Sequence, residues 1–184
     1  MKTFVLISLS LFILSCQGDR KKAAISTVQA EGSNTANLNK STQNDTIPSC
    51  YTMSSDFKKI VVVRLKNGTD VLEGLMQAVE KERIKNGVII NGIGSLTQYY
   101  LHVVNNNTFP VENVFMGADN PVDLLAVSGY VINSRVHCHL TLSDEKKAIG
   151  GHLEKGSRVF TFVIVTIGVL ENNASLENFD NTNW

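Results

Sequence analysis

The chain contains 184 residues, which is enough for one folded domain of ordinary size and a terminal extension. Its 17 Lys and Arg residues equal its 17 Asp and Glu residues, so the formal net charge at pH 7 is zero. Because proteins that bind nucleic acid through its phosphates present a basic surface, this balance argues against a nucleic-acid partner.

The N-terminal residues have the pattern of an export signal. Lys2 precedes an apolar run from Phe4 to Leu14, which is too short to span a bilayer as a stable helix. The run ends at Ile13-Leu14-Ser15-Cys16, which resembles a bacterial lipobox, and this resemblance implies that Cys16 carries a lipid. We therefore expect a signal peptide over residues 1–15 and a protein of the cell envelope, anchored to a membrane at its periplasmic face or at the cell surface.

The composition divides the rest of the chain into three parts. Residues 16–55 are mostly Ser, Thr, Asn, Gln, Lys and Ala, and such a segment buries too little apolar surface to offset its ordering entropy. We expect it to be a flexible polar tether. Residues 56–172 carry the apolar periodicities of a folded domain, and residues 173–184 form an Asn-rich C-terminal tail.

One helix is predicted near the start of the domain. A β-branched strand, Lys58 to Leu65, is followed by a turn at Asn67-Gly68. Asp70 and Glu73 have the spacing of a capping box. Leu72, Leu75, Met76 and Val79 then repeat at helical spacing, and Asn86-Gly87 is a normal stop signal.

The rest of the domain is predicted to consist of β-strands. Gly92-Ile93-Gly94 lacks the Lys-Ser/Thr and third glycine of a phosphate loop, and we interpret it as a tight turn between two strands. The expected strands are Val88–Ile90, Leu96–Asn105, Phe109–Met116, Val122–Ile132, Val136–Leu142, a short strand from Ala148, and Arg158–Leu170. The fold class is therefore α+β, a mainly antiparallel β-sheet with one or two helices packed on it.

Three histidines, His137, His139 and His152, are concentrated in and after the strand Val136–Leu142. His137 and His139 are two residues apart, so on a strand their side chains point to the same face, and Cys138 points to the other. Imidazole is the commonest metal ligand near neutral pH, and three imidazoles with an open fourth position form a known zinc arrangement. The alternative is that these are ordinary sheet histidines.

The length of the turn after the first two histidines decides whether His152 joins them. A two-residue loop, Asp144-Glu145, pairs His137 with His152 and places all three rings on one face. A four-residue loop gives the same face with a different pair, whereas a three-residue loop sends His152 to the other face. Gly150-Gly151 beside His152 lets backbone or ligand approach closely.

Several segments, taken in order, resemble the PPC (plants and prokaryotes conserved) domain family. They are Arg64…Gly68-x-Asp70, Gly92-Ile93-Gly94-Ser95-Leu96, Ser128-Gly129, His137-x-His139 and Gly150-Gly151-His152-Leu153. The resemblance covers about Phe57 to Leu170. It implies a compact α+β domain that assembles as a homotrimer, and a divalent metal such as zinc bound by the three histidines, as in some prokaryotic relatives and a decarboxylase of similar fold.

The same resemblance brings a second functional label and some departures. Bacterial members are commonly labelled DNA-binding proteins, and plant members carry AT-hook motifs, of which this chain has none. The family usually has acidic residues where this chain has Thr69 and Ile164, and a glycine in the hairpin turn that is missing here. Ile164 in place of that acid argues against an inherited acid–base role near the metal.

These observations lead to one preferred function and two alternatives. The preferred function is an exported, lipid-anchored protein that binds a divalent metal through His137, His139 and His152, with a small-molecule ligand beside it. We expect Gly92, Gly94, Ser95, Gly150 and Gly151 to line that ligand site. The alternatives are a non-catalytic interaction module of the cell envelope and the DNA-binding role of the family label.

Overall fold

The computed structural model describes residues 48–182. The proposed signal peptide, Cys16 and most of the tether lie outside the described residues. The domain contains β1 (Phe57–Lys66), α1 (Val71–Lys81), β2 (Gly87–Val104), β3 (Asn113–Ala118), β4 (Val122–Ile132), β5 (Arg135–Ser143), β6 (Ala148–Leu153) and β7 (Arg158–Leu170). One helix against seven strands confirms the α+β class. Within residues 48–182, no helix is long and apolar enough to cross a membrane.

All strands belong to one antiparallel sheet with the order β1-β7-β2-β4-β5-β6, and β3 pairs with β2 outside this path. β2 is 18 residues long and is the centre of the sheet. Its first half pairs with β7 and β4, and its second half pairs with β3 and β6. Because β6 returns to β2, the strands β2, β4, β5 and β6 form a closed circuit.

The prediction of two strands separated by a turn at Gly92-Ile93-Gly94 is wrong. β2 runs through this segment without a turn, although its pairing with β7 shifts register near Gly94. A Cβ atom on Gly94 would lie 2.1 Å from the carbonyl oxygen of Phe162, which is far inside van der Waals contact. Glycine is therefore required here because β7 approaches closely, and the sequence pattern of such an approach resembles that of a turn.

The helix begins where the capping box predicts and ends earlier than expected. The Asp70 carboxylate accepts a hydrogen bond from the Glu73 backbone N–H at 3.1 Å, which caps the first turn. The last helical residue is Lys81. The backbone N–H of Ile84 donates to Val79 O and that of Arg83 donates to Glu80 O, the two bonds of a Schellman motif.

Arg83 explains why the helix end was misplaced. Its φ of 53° is the left-handed conformation that glycine usually supplies at this position. The next glycine along the chain, Gly87, predicts a later helix end, but this residue is the first of β2.

The main core lies between α1 and the inner face of the sheet. Leu75 and Val71 of the helix are fully buried, as are the inward side chains of β7. The sequence predicts a strand over Phe109–Met116, whereas the observed strand β3 begins four residues later, at Asn113. After β7, Ala174 and Leu176 pack on Ile132 and Leu170, so the start of the C-terminal tail covers one end of the sheet.

Candidate metal centre

The hairpin between β5 and β6 places His139 directly opposite His152. Ser143 pairs with Ala148, so the loop has four residues, and the two-residue alternative, with His137 opposite His152, is wrong. Asp144 explains the longer loop. Its carboxylate accepts hydrogen bonds from the backbone N–H groups of Lys146 and Lys147, at 2.8 and 2.9 Å, which stabilises the turn from within.

The three histidine rings lie together on the outer face of the sheet. Ring centroids are 4.9 Å apart for His137 and His152, 5.2 Å for His139 and His152, and 5.9 Å for His137 and His139. One nitrogen from each ring lies within 4.8 Å of the others. Cys138 points to the opposite face, as expected, and is 1% exposed. Of the loop lengths that the sequence allows, the four-residue loop is present, and it places all three imidazoles on one face.

Gly150 and Gly151 allow β6 to fit between its two neighbours. A Cβ atom on Gly150 would lie 2.8 Å from the carbonyl oxygen of Leu140 in β5. A Cβ atom on Gly151 would lie 2.7 Å from the carbonyl oxygen of His102 in β2. Side chains at these positions would push the strands apart, so the glycine pair sets the position of the adjacent His152.

A fourth histidine, His102 of β2, joins the group, and sequence reasoning missed it. His102 is directly opposite His152 across the β2–β6 pairing, and their rings are stacked with centroids 4.5 Å apart. No local pattern around Leu101-His102-Val103 identifies it as a site residue. Only the long-range pairing of β2 with β6 brings it to the cluster.

Two carboxylates contact the cluster, and neither was assigned to it from the sequence. Oε1 of Glu154 lies 2.7 Å from Nδ1 of His102. Oδ2 of Asp180, in the C-terminal segment, lies 3.5 Å from Nδ1 of His137 and 3.2 Å from the Arg135 guanidinium. Ile164, at the position where the resemblance leads one to expect an acidic residue, lies opposite Arg64 and Ile93.

Burial and mutual repulsion favour neutral imidazoles at the centre of the cluster. Partial burial, followed by the neighbouring His102, His137 and His139, lowers the pKa of His152 from 6.5 to about 4. Burial and the neighbouring His137 and His102 lower the pKa of His139 as well. Because a metal binds the neutral ring, these nitrogens are in the form that ligation requires at neutral pH. The donor set therefore fits a divalent ion such as zinc.

The five residues expected to line a ligand site fall in separate places. Gly150 and Gly151 flank the histidines, as described above. Gly94 and Ser95 line a surface groove with Asp123 and Phe162, and the Ser95 hydroxyl is 2.6 Å from that of Thr161. No histidine of the described chain lines this groove. Gly92 faces the side chain of Val127, which a Cβ atom would meet at 2.6 Å.

The low pKa of His152 predicts how the stability of the metal-free protein depends on pH. The unfolded chain binds a proton at its ordinary pKa of 6.5, whereas the folded chain binds it near 4. Between these values the unfolded state holds more protons, so the free energy of unfolding falls as the pH is lowered from 6.5 to 4. Urea unfolding at a series of pH values, with chelator present, measures this free energy. In His152→Phe the free energy of unfolding should depend less steeply on pH. An unchanged slope in His152→Phe would contradict this assignment.

Solved structures share the fold. A metal-containing protein from Archaeoglobus fulgidus superposes with a TM-score of 0.60 at 23% identity, covering 68% of this chain and 89% of its own. A plant- and prokaryote-conserved (PPC) protein from Pyrococcus horikoshii gives 0.56 at 22%, covering 67% and 87%. A protein from Bacteroides thetaiotaomicron described as a candidate DNA-binding protein gives 0.54 at 19%, covering 66% and 86%. At these identities the likeness is one of fold.

The sequence is also similar to part of a longer curated protein. The bifunctional protein GlmU of one Synechococcus strain is 28% identical over 104 residues, which is 56% of this chain and 16% of GlmU. GlmU of a second strain is 26% identical over the same length. The family model of the Plants and Prokaryotes Conserved (PCC) domain matches residues 53–171, a range that contains all the histidines of the site. This chain therefore belongs to the Plants and Prokaryotes Conserved domain family, which confirms the resemblance read from its motifs.

Proposed function

We propose that the protein binds a divalent metal ion, zinc or one of similar preference, through His137, His139 and His152. The grouping of three imidazole nitrogens within 4.8 Å of one another carries this proposal. Three histidines leave a fourth position of a tetrahedral ion open, as in catalytic rather than closed structural zinc sites. His139 is exposed and His137 is 43% exposed at its side chain, so a small molecule has access to that position from solvent.

Neighbouring residues and strand pairings hold the three histidines in position for a metal ion. A bound metal would supply Lewis acidity or a water of lowered pKa. The Asp180 carboxylate, 3.5 Å from His137 Nδ1, favours the tautomer that carries the ring proton on Nδ1, which would leave Nε2 with a lone pair for the ion. His152 is held from both sides by the pairing of β6 with β5 and β2. The role of these residues is to bind the metal ion and to orient its histidine ligands. The class of small molecule that we propose for the open position is a carbonyl compound or a hydrolysable compound.

Metal binding should appear as a gain in stability. For full-length protein purified without a histidine tag, we expect bound divalent metal, and a gain of about 2.7 kcal/mol when free zinc is about 100-fold above its Kd. The double variant His137→Ala, His139→Ala should lose the equivalent bound at this position and the share of the gain in stability that this equivalent contributes. Calorimetric melting with and without zinc measures the effect.

Glu145→Gln, an exposed change in the turn of the same hairpin, is the matched control and should behave as the wild type. Protein without bound metal, and with a melting temperature that zinc, iron, manganese and nickel all leave unchanged, would overturn the proposal.

A homotrimer is the assembly we propose. The outer face of β1, β7 and β2 carries exposed apolar side chains, among them Val62, Ile93 and Phe162, and Val62 is 65% exposed. Several exposed apolar side chains on one face of a sheet are typical of a protein–protein interface. The pair Val62→Glu, Phe162→Glu should convert a trimer to monomers in sedimentation equilibrium, whereas Val104→Glu, an exposed change elsewhere, should not. A monomeric wild type would contradict this assembly.

We further propose that the protein is anchored in the cell envelope through a lipid on Cys16. The lipobox-like Ile13-Leu14-Ser15-Cys16 supports this location. Labelled palmitate should enter the wild type and not Cys16→Ala, and the variant should leave the membrane fraction. Labelling that persists in Cys16→Ala would exclude this anchor.

DNA binding is the second candidate function, favoured by the description of the Bacteroides relative. The equal numbers of basic and acidic residues give it no electrostatic support. Salt-sensitive binding tighter than micromolar in a gel shift would favour this candidate over the metal site.

A further inference from the structure

We propose that the structure contains a second divalent-cation position, held by His102, His152 and Glu154, beside the one assigned to His137, His139 and His152. It goes beyond the proposed function, since it adds two ligands that take no part in the first position. The cation class is a first-row divalent ion, and zinc is the probe.

The second position follows from a row of side chains that crosses four strands. His102 of β2 has Phe115 of β3 directly opposite on one edge and His152 of β6 directly opposite on the other. His152 in turn has His139 of β5 opposite. Residues directly opposite in antiparallel strands point to the same face, so the row is continuous. His152 stands in the middle, with one candidate position on each side of it.

Glu154 completes the donor set on the β2 side. It follows His152 by two residues, and its backbone N–H donates to the carbonyl oxygen of Tyr100, which continues the pairing with β2 beyond the end of β6. This pairing directs the carboxylate to the same face as His152. The ligand atoms of His102, His152 and Glu154 all lie within 4.8 Å of one another.

Two imidazoles and one carboxylate are an established ligand set. The combination of two His and one Glu holds catalytic zinc in some enzymes, and two His with one carboxylate hold non-haem iron in others. The 2.7 Å contact between His102 Nδ1 and Glu154 Oε1 is a hydrogen bond in which the imidazole donates. A divalent cation that binds Nδ1 takes the place of that proton, and the ring stays neutral by carrying its single proton on Nε2, an exchange that solvent mediates.

The surroundings of His102 and Glu154 are those of a partly enclosed binding site and not of a solvated surface ion pair. The side chains of His102 and Glu154 are only 18% and 29% exposed. The Phe115 ring, with its centroid 5.4 Å from that of His102, covers one side of the pair. Water screens an ion–ligand interaction less in such a partly enclosed site than at an open surface.

His152 couples the two positions. An imidazole has two ring nitrogens, and each can bind one ion when the ring is fully deprotonated. If His152 uses one nitrogen for each neighbour, both positions can be occupied, and loss of His152 removes both. His102 and Glu154 should affect only the second, and His137 and His139 only the first.

The test is zinc stoichiometry of the full chain by equilibrium dialysis with metal analysis. We expect two equivalents per chain for the wild type. His102→Phe, which keeps a flat ring against Phe115 and His152, and Glu154→Gln should each bind one equivalent. The double variant His137→Ala, His139→Ala should also bind one, and His152→Phe none. Glu145→Gln is the control for the carboxylate change and should bind two.

Thermal melting in the presence of chelator shows whether each variant is folded. If His102→Phe does not fold, Glu154→Gln alone tests the second cation position. One equivalent in the wild type would overturn the second position. Two equivalents retained in both His102→Phe and Glu154→Gln would overturn it too. No zinc bound by any form would instead overturn the proposed function itself, so the two failures are distinguishable.

Discussion

The backbone pairing of β6 with β5 on one edge and with β2 on the other is the interaction on which the histidine cluster depends. It brings together side chains that are far apart along the chain, His102 and His152, and it fixes which ring is opposite which. The pairing is allowed because Gly150 and Gly151 present no side chain to the carbonyl oxygens of Leu140 and His102. A shift of one residue at either edge would send His152 to the opposite face of the sheet.

The chemistry of the cluster follows from that placement. Imidazoles held close together in a partly buried place repel protons, which lowers the pKa of His152 and keeps lone pairs available for a cation. The carboxylates of Glu154 and Asp180 contact the outer rings, His102 and His137, whereas the central His152 stacks on the His102 ring. In this account, the acids that surround the site come from segments that follow β6 and β7.

Local patterns in the sequence predicted much of this structure, and long-range pairing accounts for what they missed. The capping box at Asp70 located the start of the helix, and the alternation of β5 predicted that His137 and His139 share a face. The Schellman end at Arg83 was missed because a non-glycine residue adopts the left-handed conformation there. Gly94 was interpreted as part of a turn because the close approach of β7, which is remote in sequence, requires the same glycine that a turn would. His102 was missed for the same reason, since its partner His152 is reached only through the closure of β6 on β2.

Anomalous scattering at the zinc edge, from crystals of protein never exposed to chelator, tests the central claim most directly. The account predicts an anomalous peak within bonding distance, about 2.0–2.1 Å, of one nitrogen each from His137, His139 and His152. A well-ordered cluster in which these three rings surround no anomalous peak, even after the crystals are soaked in zinc, would contradict it.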